Sequence, residues 1–219
     1  MIMGLNKYID HTALKPTVGR EELEKLCMEA AEYDFASVCV NPCNVAYVKE
    51  LLKNTDVNVC TVIGFPLGAN TSEVKAYETE IAYKHGCDEF DMVINVGALK
   101  AGLYEYVYND IKAVVAAAKG KTVKVIIETG LLTDSEKVAA VKLSCQAGAH
   151  FVKTCTGFSQ GVATVEDVAL MKKNVSDGVK VKASAGIRDH EAAIALIKAG
   201  ADRLGTSAGV AIIEGIINA

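Results

Sequence analysis

The sequence predicts an α/β chain closed into a single (β/α)8 barrel, and three observations lead there. Eight short runs rich in β-branched and aromatic residues alternate with stretches of helical apolar period. Such alternation implies parallel strands joined by right-handed crossovers. Eight units fit within 219 residues, which suits one barrel at the compact end of its range and one domain spanning 1–219. An open doubly wound sheet is the rival arrangement, but no G-x-G-x-x-G turn follows the first run, and eight units suit closure.

The runs in order are "YIDHT" (8–12), "FASVCV" (35–40), "NVCTVIGF" (58–65), "EFDMVINV" (89–96), "TVKVIIET" (122–129), "FVKTCT" (151–156), "VKVKASA" (179–185) and "DRLGTS" (202–207). After the first, Leu23, Leu26, Cys27, Ala30 and Ala31 fall at i, i+3, i+4, i+7 and i+8, one helical stripe. Before the fifth, Val107, Ile111, Val114, Val115 and Ala118 form another. "TDSE" (133–136) and "TVED" (164–167) read as capping boxes that open the helices after the fifth and sixth runs. "YKHGCDEFDMV", "CQAGAHFVKT" and "IKAGADRLGT" share one plan of helix end, glycine and strand, so Gly86, Gly148 and Gly200 fit the left-handed position that terminates a helix.

Composition excludes several classes. The formal net charge is −4, from 23 Lys+Arg against 27 Asp+Glu, and no basic run stands out, so a nucleic-acid partner is not expected. No apolar run approaches the roughly 18 residues of a membrane span, and "MIMGLNKYID" lacks a signal core. Seven scattered cysteines without a C-x-x-C pair read as reduced thiols in a cytoplasmic protein. His11, His85, His150 and His190 show no metal-ligand spacing, so no metal site is expected.

Lysine in a buried strand needs a reason, because its charged form loses hydration there. Lys124, Lys153 and the pair Lys180 and Lys182 place lysine on three consecutive strands; Lys153 shares parity with Phe151 and Cys155, Lys124 with Ile126 and Glu128, and Lys180 with Lys182. For Lys124 and Lys180 the plain reading is an outward residue whose stem covers apolar surface. Lys153 and Lys182 differ, since "KTCTGF" and "KASAGIR" carry each into a small-residue loop. An ordinary lysine, with a pKa of about 10.4, is a poor nucleophile at neutral pH. Burial or a second cation frees the lone pair, so Lys153 is a candidate Schiff-base nucleophile and Lys182 its neighbour. Asp91 in "EFDMVIN" and Asp10 in "IDHT" serve either as salt-bridge partners across the barrel or as proton relays, and the two roles are compatible. "SAGIR" (184–188) and "GTSAGVA" (205–211) follow the last two strands, where barrels commonly bind phosphate through backbone N–H groups.

With these residues in place the sequence closely resembles the deoxyribose-phosphate aldolases. The likeness rests on "YIDHTALKP", "SVCVNP", "VIGFPLG", "DEFDMVINVGALK", "VKVIIETGLL", "FVKTCTGF", "VKASAGIR" and "RLGTSAGVAI", in order and almost end to end. The resemblance implies a TIM-barrel lyase that reversibly cleaves 2-deoxy-D-ribose 5-phosphate to acetaldehyde and D-glyceraldehyde 3-phosphate. By matching position, Lys153 carries the Schiff base, Lys182 is the second catalytic lysine, and Asp91 relays protons with it through a water. Asp10, Cys39, Lys124 and Thr156 form the supporting network. Gly157, Gly186, Ile187, Arg188, Gly205 and Ser207 contact the phosphate. The resemblance implies no metal and no organic cofactor, phosphosugar and aldehyde substrates as partners, and a homodimer or other small homo-oligomer.

The chain departs from the family pattern in having Cys155 for a frequent serine, Ala185-Gly186 for Gly-Gly, and Ala208 for a second serine. Cys155 is expected to point into barrel packing, and the loop at Ala185 to shift. Ala208 is expected to withhold one hydrogen bond from phosphate. Competing readings are another Schiff-base barrel aldolase and an inactive barrel retained to bind phosphosugars.

Overall fold

Each run forms a strand: β1 (Ile9–Ala13), β2 (Ser37–Val40), β3 (Asn58–Ile63), β4 (Glu89–Val93), β5 (Thr122–Ile126), β6 (Phe151–Lys153), β7 (Lys180–Ser184) and β8 (Arg203–Thr206). Every strand pairs in parallel with its sequence neighbours, and β1 also pairs with β8, which closes the (β/α)8 barrel. The computed structural model describes residues 4–215. Around the barrel lie α1 (Arg20–Glu32), α2 (Val45–Leu51), α3 (Ser72–Lys84), α4 (Val96–Lys100), α5 (Tyr104–Ala117), α6 (Asp134–Gln146), α7 (Val165–Asn174), α8 (His190–Lys198) and α9 (Gly209–Glu214). Among the described residues no helix is long and apolar enough to cross a membrane.

Several runs outlast their hydrogen-bonded strands. The sixth leaves the ladder after Lys153 and the fifth after Ile126, so their last residues build the rim instead. The boundary signals are largely met. Thr133 and Glu136 form a complete capping box. Thr164 accepts from the Asp167 N–H, but the Asp167 carboxylate turns to Lys137 at 2.6 Å, leaving half a box. Gly86, Gly148 and Gly200 follow the helix caps with φ of 92°, 88° and 115°. In α1, Leu23, Leu26, Cys27 and Ala30 are buried while Ala31 is exposed. Ala31 sits about 80° round the helix from Leu23, at the edge of a narrow contact stripe.

Strand alternation sorts the interior into two unlike cores. Outward residues such as Val38, Val59, Phe90, Met92, Val125, Val152, Val181 and Leu204 join the helices in one apolar annulus. Inward residues are mostly charged or polar. Their one apolar cluster is Leu14, Cys39, Cys60 and Val62, with Phe65 against it.

Candidate active site

Register places the inward polar residues side by side. Asp91 is opposite Lys124, Lys153 opposite Lys182, and Lys182 opposite Arg203. Asp91 is the hub. Its Oδ1 accepts from Lys124 at 2.8 Å and from the Cys60 thiol at 3.2 Å. Its Oδ2 accepts from Lys153 at 2.7 Å and Lys182 at 2.8 Å. Asp10 lies deeper, with Oδ2 2.5 Å from Lys182 and Oδ1 accepting from Ser37 and Arg203, each at 2.6 Å. Glu89 closes the floor, 2.6 Å from Lys124 and 3.3 Å from Arg203.

Each shift in this network follows from burial working against charge pairing. Burial alone would raise the Asp91 carboxyl, but Lys124, Lys153 and Lys182 together hold it well below the usual carboxylate range. Burial likewise acts on Asp10, and Lys182, Lys124 and Arg203 overcome it. Lys124 and Lys182 move upward because their carboxylates outweigh the cost of burial. The Cys60 thiol is pushed well up, first by burial and then by its bond to Cys39, while the Cys39 thiol is lowered chiefly by that same bond. Sulfur and oxygen atoms of Cys39, Cys60 and Asp91 lie within 4.8 Å of one another. They make a poor cation cradle, because three ammonium groups already claim the carboxylate.

The lysines separate by access. Lys124 and Lys182 are fully buried, Lys153 is 3 % exposed, and Lys180 is exposed at the strand start over the Phe151 ring. The outward reading therefore suits Lys180 and fails for Lys124, which points inward to the carboxylates Asp91, Glu89 and Asp10. Above them opens a cleft of about 640 Å³ at the C-terminal ends of the strands, and of the three lysines around Asp91 it reaches Lys153 alone. Asp10, Asp91, Lys124, Lys182 and Cys39 lie beneath the cleft and do not line it.

Thr156, Gly157, Gly186, Ile187, Arg188, Gly205 and Ser207 all line the cleft, so the two groups of predicted residues meet there. Gly205 has a second reason to lack a side chain, since a Cβ there would sit 3.0 Å from Lys182 Cε. In place of the loop shift expected at Ala185, the residue itself adopts φ 79°, the left-handed conformation that favours glycine, beside Gly186 at 78°. Ala208 caps α9 and gives its N–H to Thr206 at 2.9 Å, and it is not among the lining residues. Cys155 is buried with its sulfur 3.3 Å from the Thr129 hydroxyl, among rim loops rather than in the barrel.

Other functional candidates escaped the sequence reading. Glu89 and Arg203 share the inward phase of Asp91 and Gly205, a signal that parity offered. Glu128 shares parity with Lys124 in the run 122–129, but the ladder that gives parity its meaning ends at Ile126. It sits at φ 58° beyond the strand, buried, and accepts from the Thr156 hydroxyl at 2.5 Å and the Thr156 N–H at 3.2 Å. The Thr156 hydroxyl in turn accepts from Phe158 N–H at 3.1 Å, so Glu128 fixes the loop bearing Gly157. Thr154 and Ser184 tie the ends of β6 and β7, and Thr206 donates to the Ile187 carbonyl at 2.7 Å to tie the two glycine-rich loops.

Comparison with known proteins fits this geometry. The family model described as DeoC/LacD family aldolase matches residues 5–215. Deoxyribose-phosphate aldolase of Streptococcus suis (strain 98HAH33) is 64% identical over 213 residues, covering 97% of each chain. That of Staphylococcus epidermidis (strain ATCC 12228 / FDA PCI 1200) is 60% identical over 214 residues, covering 98% of this chain and 97% of the relative. Among solved structures, a putative deoxyribose-phosphate aldolase from Coccidioides immitis superposes with TM-score 0.94 at 42% identity, over 96% of this chain and 84% of that one. The deoxyribose phosphate aldolase from Aeropyrum pernix, described as having a unique tetrameric structure, gives TM-score 0.89 at 35% identity, over 96% and 89%.

Proposed function

Because the chain belongs to the DeoC/LacD family of aldolases, we propose that it reversibly cleaves 2-deoxy-D-ribose 5-phosphate to acetaldehyde and D-glyceraldehyde 3-phosphate, with Lys153 as the Schiff-base nucleophile. One observation carries the assignment of the nucleophile: of the three lysines joined at Asp91, only Lys153 reaches the cleft. It also touches a single carboxylate, whereas Lys182 touches two and Lys124 three.

The charge inventory supports a free amine. Lys124, Lys153, Lys182 and Arg203 are four cations facing three carboxylates, Asp10, Glu89 and Asp91. With Cys39 and Cys60 as neutral thiols, loss of one proton from Lys153 balances the interior. Lys182 thus acts with the rest of the network, because Asp91 stands between it and Lys153. The neutral amine attacks C1 of the open-chain sugar, and the carbinolamine loses water to give an iminium. As the C3 hydroxyl gives up its proton, the C2–C3 bond breaks and its electrons form an enamine. Glyceraldehyde 3-phosphate leaves. Protonation of the enamine at C2 and hydrolysis release acetaldehyde and restore Lys153. Asp91 Oδ2, shared by Lys153 and Lys182, is the acceptor through which those protons pass. Asp10, Lys124 and Cys39 hold this arrangement from below, and Thr156 holds the rim.

The phosphate end belongs to Gly157, Gly186, Ile187, Arg188, Gly205 and Ser207, whose loops border the same cleft. Residues 1–219 act as one domain in this reading. All seven cysteines are free, in keeping with the cytoplasm. Exposed Leu67, Val74 and Tyr77 fit a homodimer or another small homo-oligomer. Neither nucleic acid nor membrane has a part.

The test is reductive trapping. Borohydride added with 2-deoxyribose 5-phosphate or acetaldehyde should fix a two-carbon adduct, and peptide mapping should place it on Lys153. Lys153→Ala should lose both adduct and turnover while keeping its fold. An adduct on Lys182 or Lys124 would overturn the assignment.

A further inference from the structure

The catalytic lysine stands at one end of a charge chain that runs to the opposite mouth of the barrel. From Lys153 the contacts pass to Asp91 at 2.7 Å, to Lys182 at 2.8 Å, to Asp10 at 2.5 Å and to Arg203 at 2.6 Å. A second branch leaves Asp91 through Lys124 at 2.8 Å, reaches Glu89 at 2.6 Å, and returns to Arg203 at 3.3 Å. Arg203 and Glu89 open the N-terminal ends of β8 and β4, far from the cleft, and neither lines it. Both are charged residues on a floor where apolar side chains would close the barrel at less cost.

We infer that Arg203 and Glu89 are positioning residues of opposite sign that set, from the barrel floor, the pH at which Lys153 becomes a free amine. The inference rests on Lys153 being the nucleophile. Arg203 is the fourth cation of the interior, the one whose presence leaves an excess proton for Lys153 to shed. Without it three cations face three carboxylates, and Lys153 keeps its proton to higher pH. Without Glu89 the excess grows, and the proton leaves at lower pH. Charges roughly 10 Å apart at an effective dielectric of about 20 correspond to about one pH unit. Arg203 is partly exposed, so water screens part of that.

The groups around both ends are few. Asp10 from β1, Glu89 from β4 and the Phe151 ring from β6 contact Arg203, and Lys180 at the start of β7 lies over the same ring. Asp91 from β4 and Lys182 from β7 face Lys153, Lys124 from β5 lies across Asp91, and the thiols of Cys39 on β2 and Cys60 on β3 complete the ring. Cys39 is the remaining group able to add an anion, so it is left in place in every variant.

The experiment measures borohydride-trapped acetaldehyde adduct against pH, by intact mass, with the unaltered protein as parent. Arg203→Met keeps the stem, and Asp10 retains its Ser37 donor. The midpoint should rise by half a unit to one unit. Glu89→Gln should lower it by a similar amount, Arg203→Lys should restore it, and the double variant Arg203→Met with Glu89→Gln should return close to the parent. A purely structural role would not give shifts of opposite sign. Trapping on Lys153 with unmoved midpoints, or with both midpoints moved the same way, overturns the inference and leaves the nucleophile intact. No Lys153 adduct in the parent defeats the underlying reading instead. Should Arg203→Met fail to fold, the direction of the Glu89→Gln shift decides.

Discussion

Ala185 shows how one residue registers a local conflict. Its φ of 79° is where an L side chain meets the following carbonyl, at a cost of roughly 1–2 kcal/mol. The neighbouring chain holds it there, since the Ala185 carbonyl accepts from Ala163 N–H at 3.0 Å. Ala185→Gly should relieve that strain and lose about 0.5–1 kcal/mol to the greater freedom of the unfolded chain. A net stabilisation of up to about 1 kcal/mol in urea titration is expected, and a clear destabilisation would show that the conformation is not strained. Lys182 can be tested at the same scale. Lys182→Met removes a cation while Asp91 keeps its bond to Lys153, so the pH midpoint of imine formation should rise. An unchanged or lowered midpoint in a trapping titration would refute the charge argument.

At the scale of elements, the rim is built by side chains bonding to neighbouring loops rather than by long loops of their own. Thr154, Ser184 and Thr206 lock the loops after β6, β7 and β8 to one another. Phe65, from the loop after β3, meets Phe158 edge-on with centroids 5.2 Å apart. A double-mutant cycle of Phe65→Ala and Phe158→Ala should give a coupling near 0.5 kcal/mol, the low end for aromatic pairs because Phe158 is half exposed. Additive effects on stability would mean that the rings do not support each other. This is also where sequence reading met its limit. Strand phase and the loops that follow pointed to Lys153 and Lys182, with Asp91 and Asp10 as partners across the barrel, because alternation is a local rule. Lys124 reads as outward from the sequence, and only its carboxylate partners place it inside. Glu128 lies beyond the ladder in a left-handed conformation, so no period points to its bond with Thr156. Ala208 failed for a related reason: its place behind Ser207 depends on how α9 begins, not on the motif's letters.

For the whole molecule, the buried network should govern the acid limb of stability. Asp10 and Asp91 lie below their ordinary range in the folded state, so their contribution is complete above the unfolded value of about 4. It is lost as pH falls through the lowered folded values, because only the unfolded chain takes up those protons. Lys124 and Lys182, both raised, keep their contribution below about 10.4 and lose it as pH climbs through their folded values. As pH falls below about 4 the slope from these two carboxylates steepens toward roughly 3 kcal/mol per pH unit. Urea titrations between about pH 4 and pH 2 should return an uptake on unfolding that rises from about one proton to about two from these groups. An uptake below one would mean that the native interior is already protonated.

The division between an apolar annulus and a charged lumen also bears on how such a chain can change. Residues that pack strands against helices and residues that face the lumen alternate along the strands, and the buried apolar side chains fall into two separate clusters. Selection can therefore exchange inward positions as charge-matched sets without first rebuilding the apolar shell. The same separation sets the pattern of tolerance: outward positions should accept volume-conserving apolar swaps with little effect on turnover, while inward ones admit few neighbours and gain new chemistry when they do.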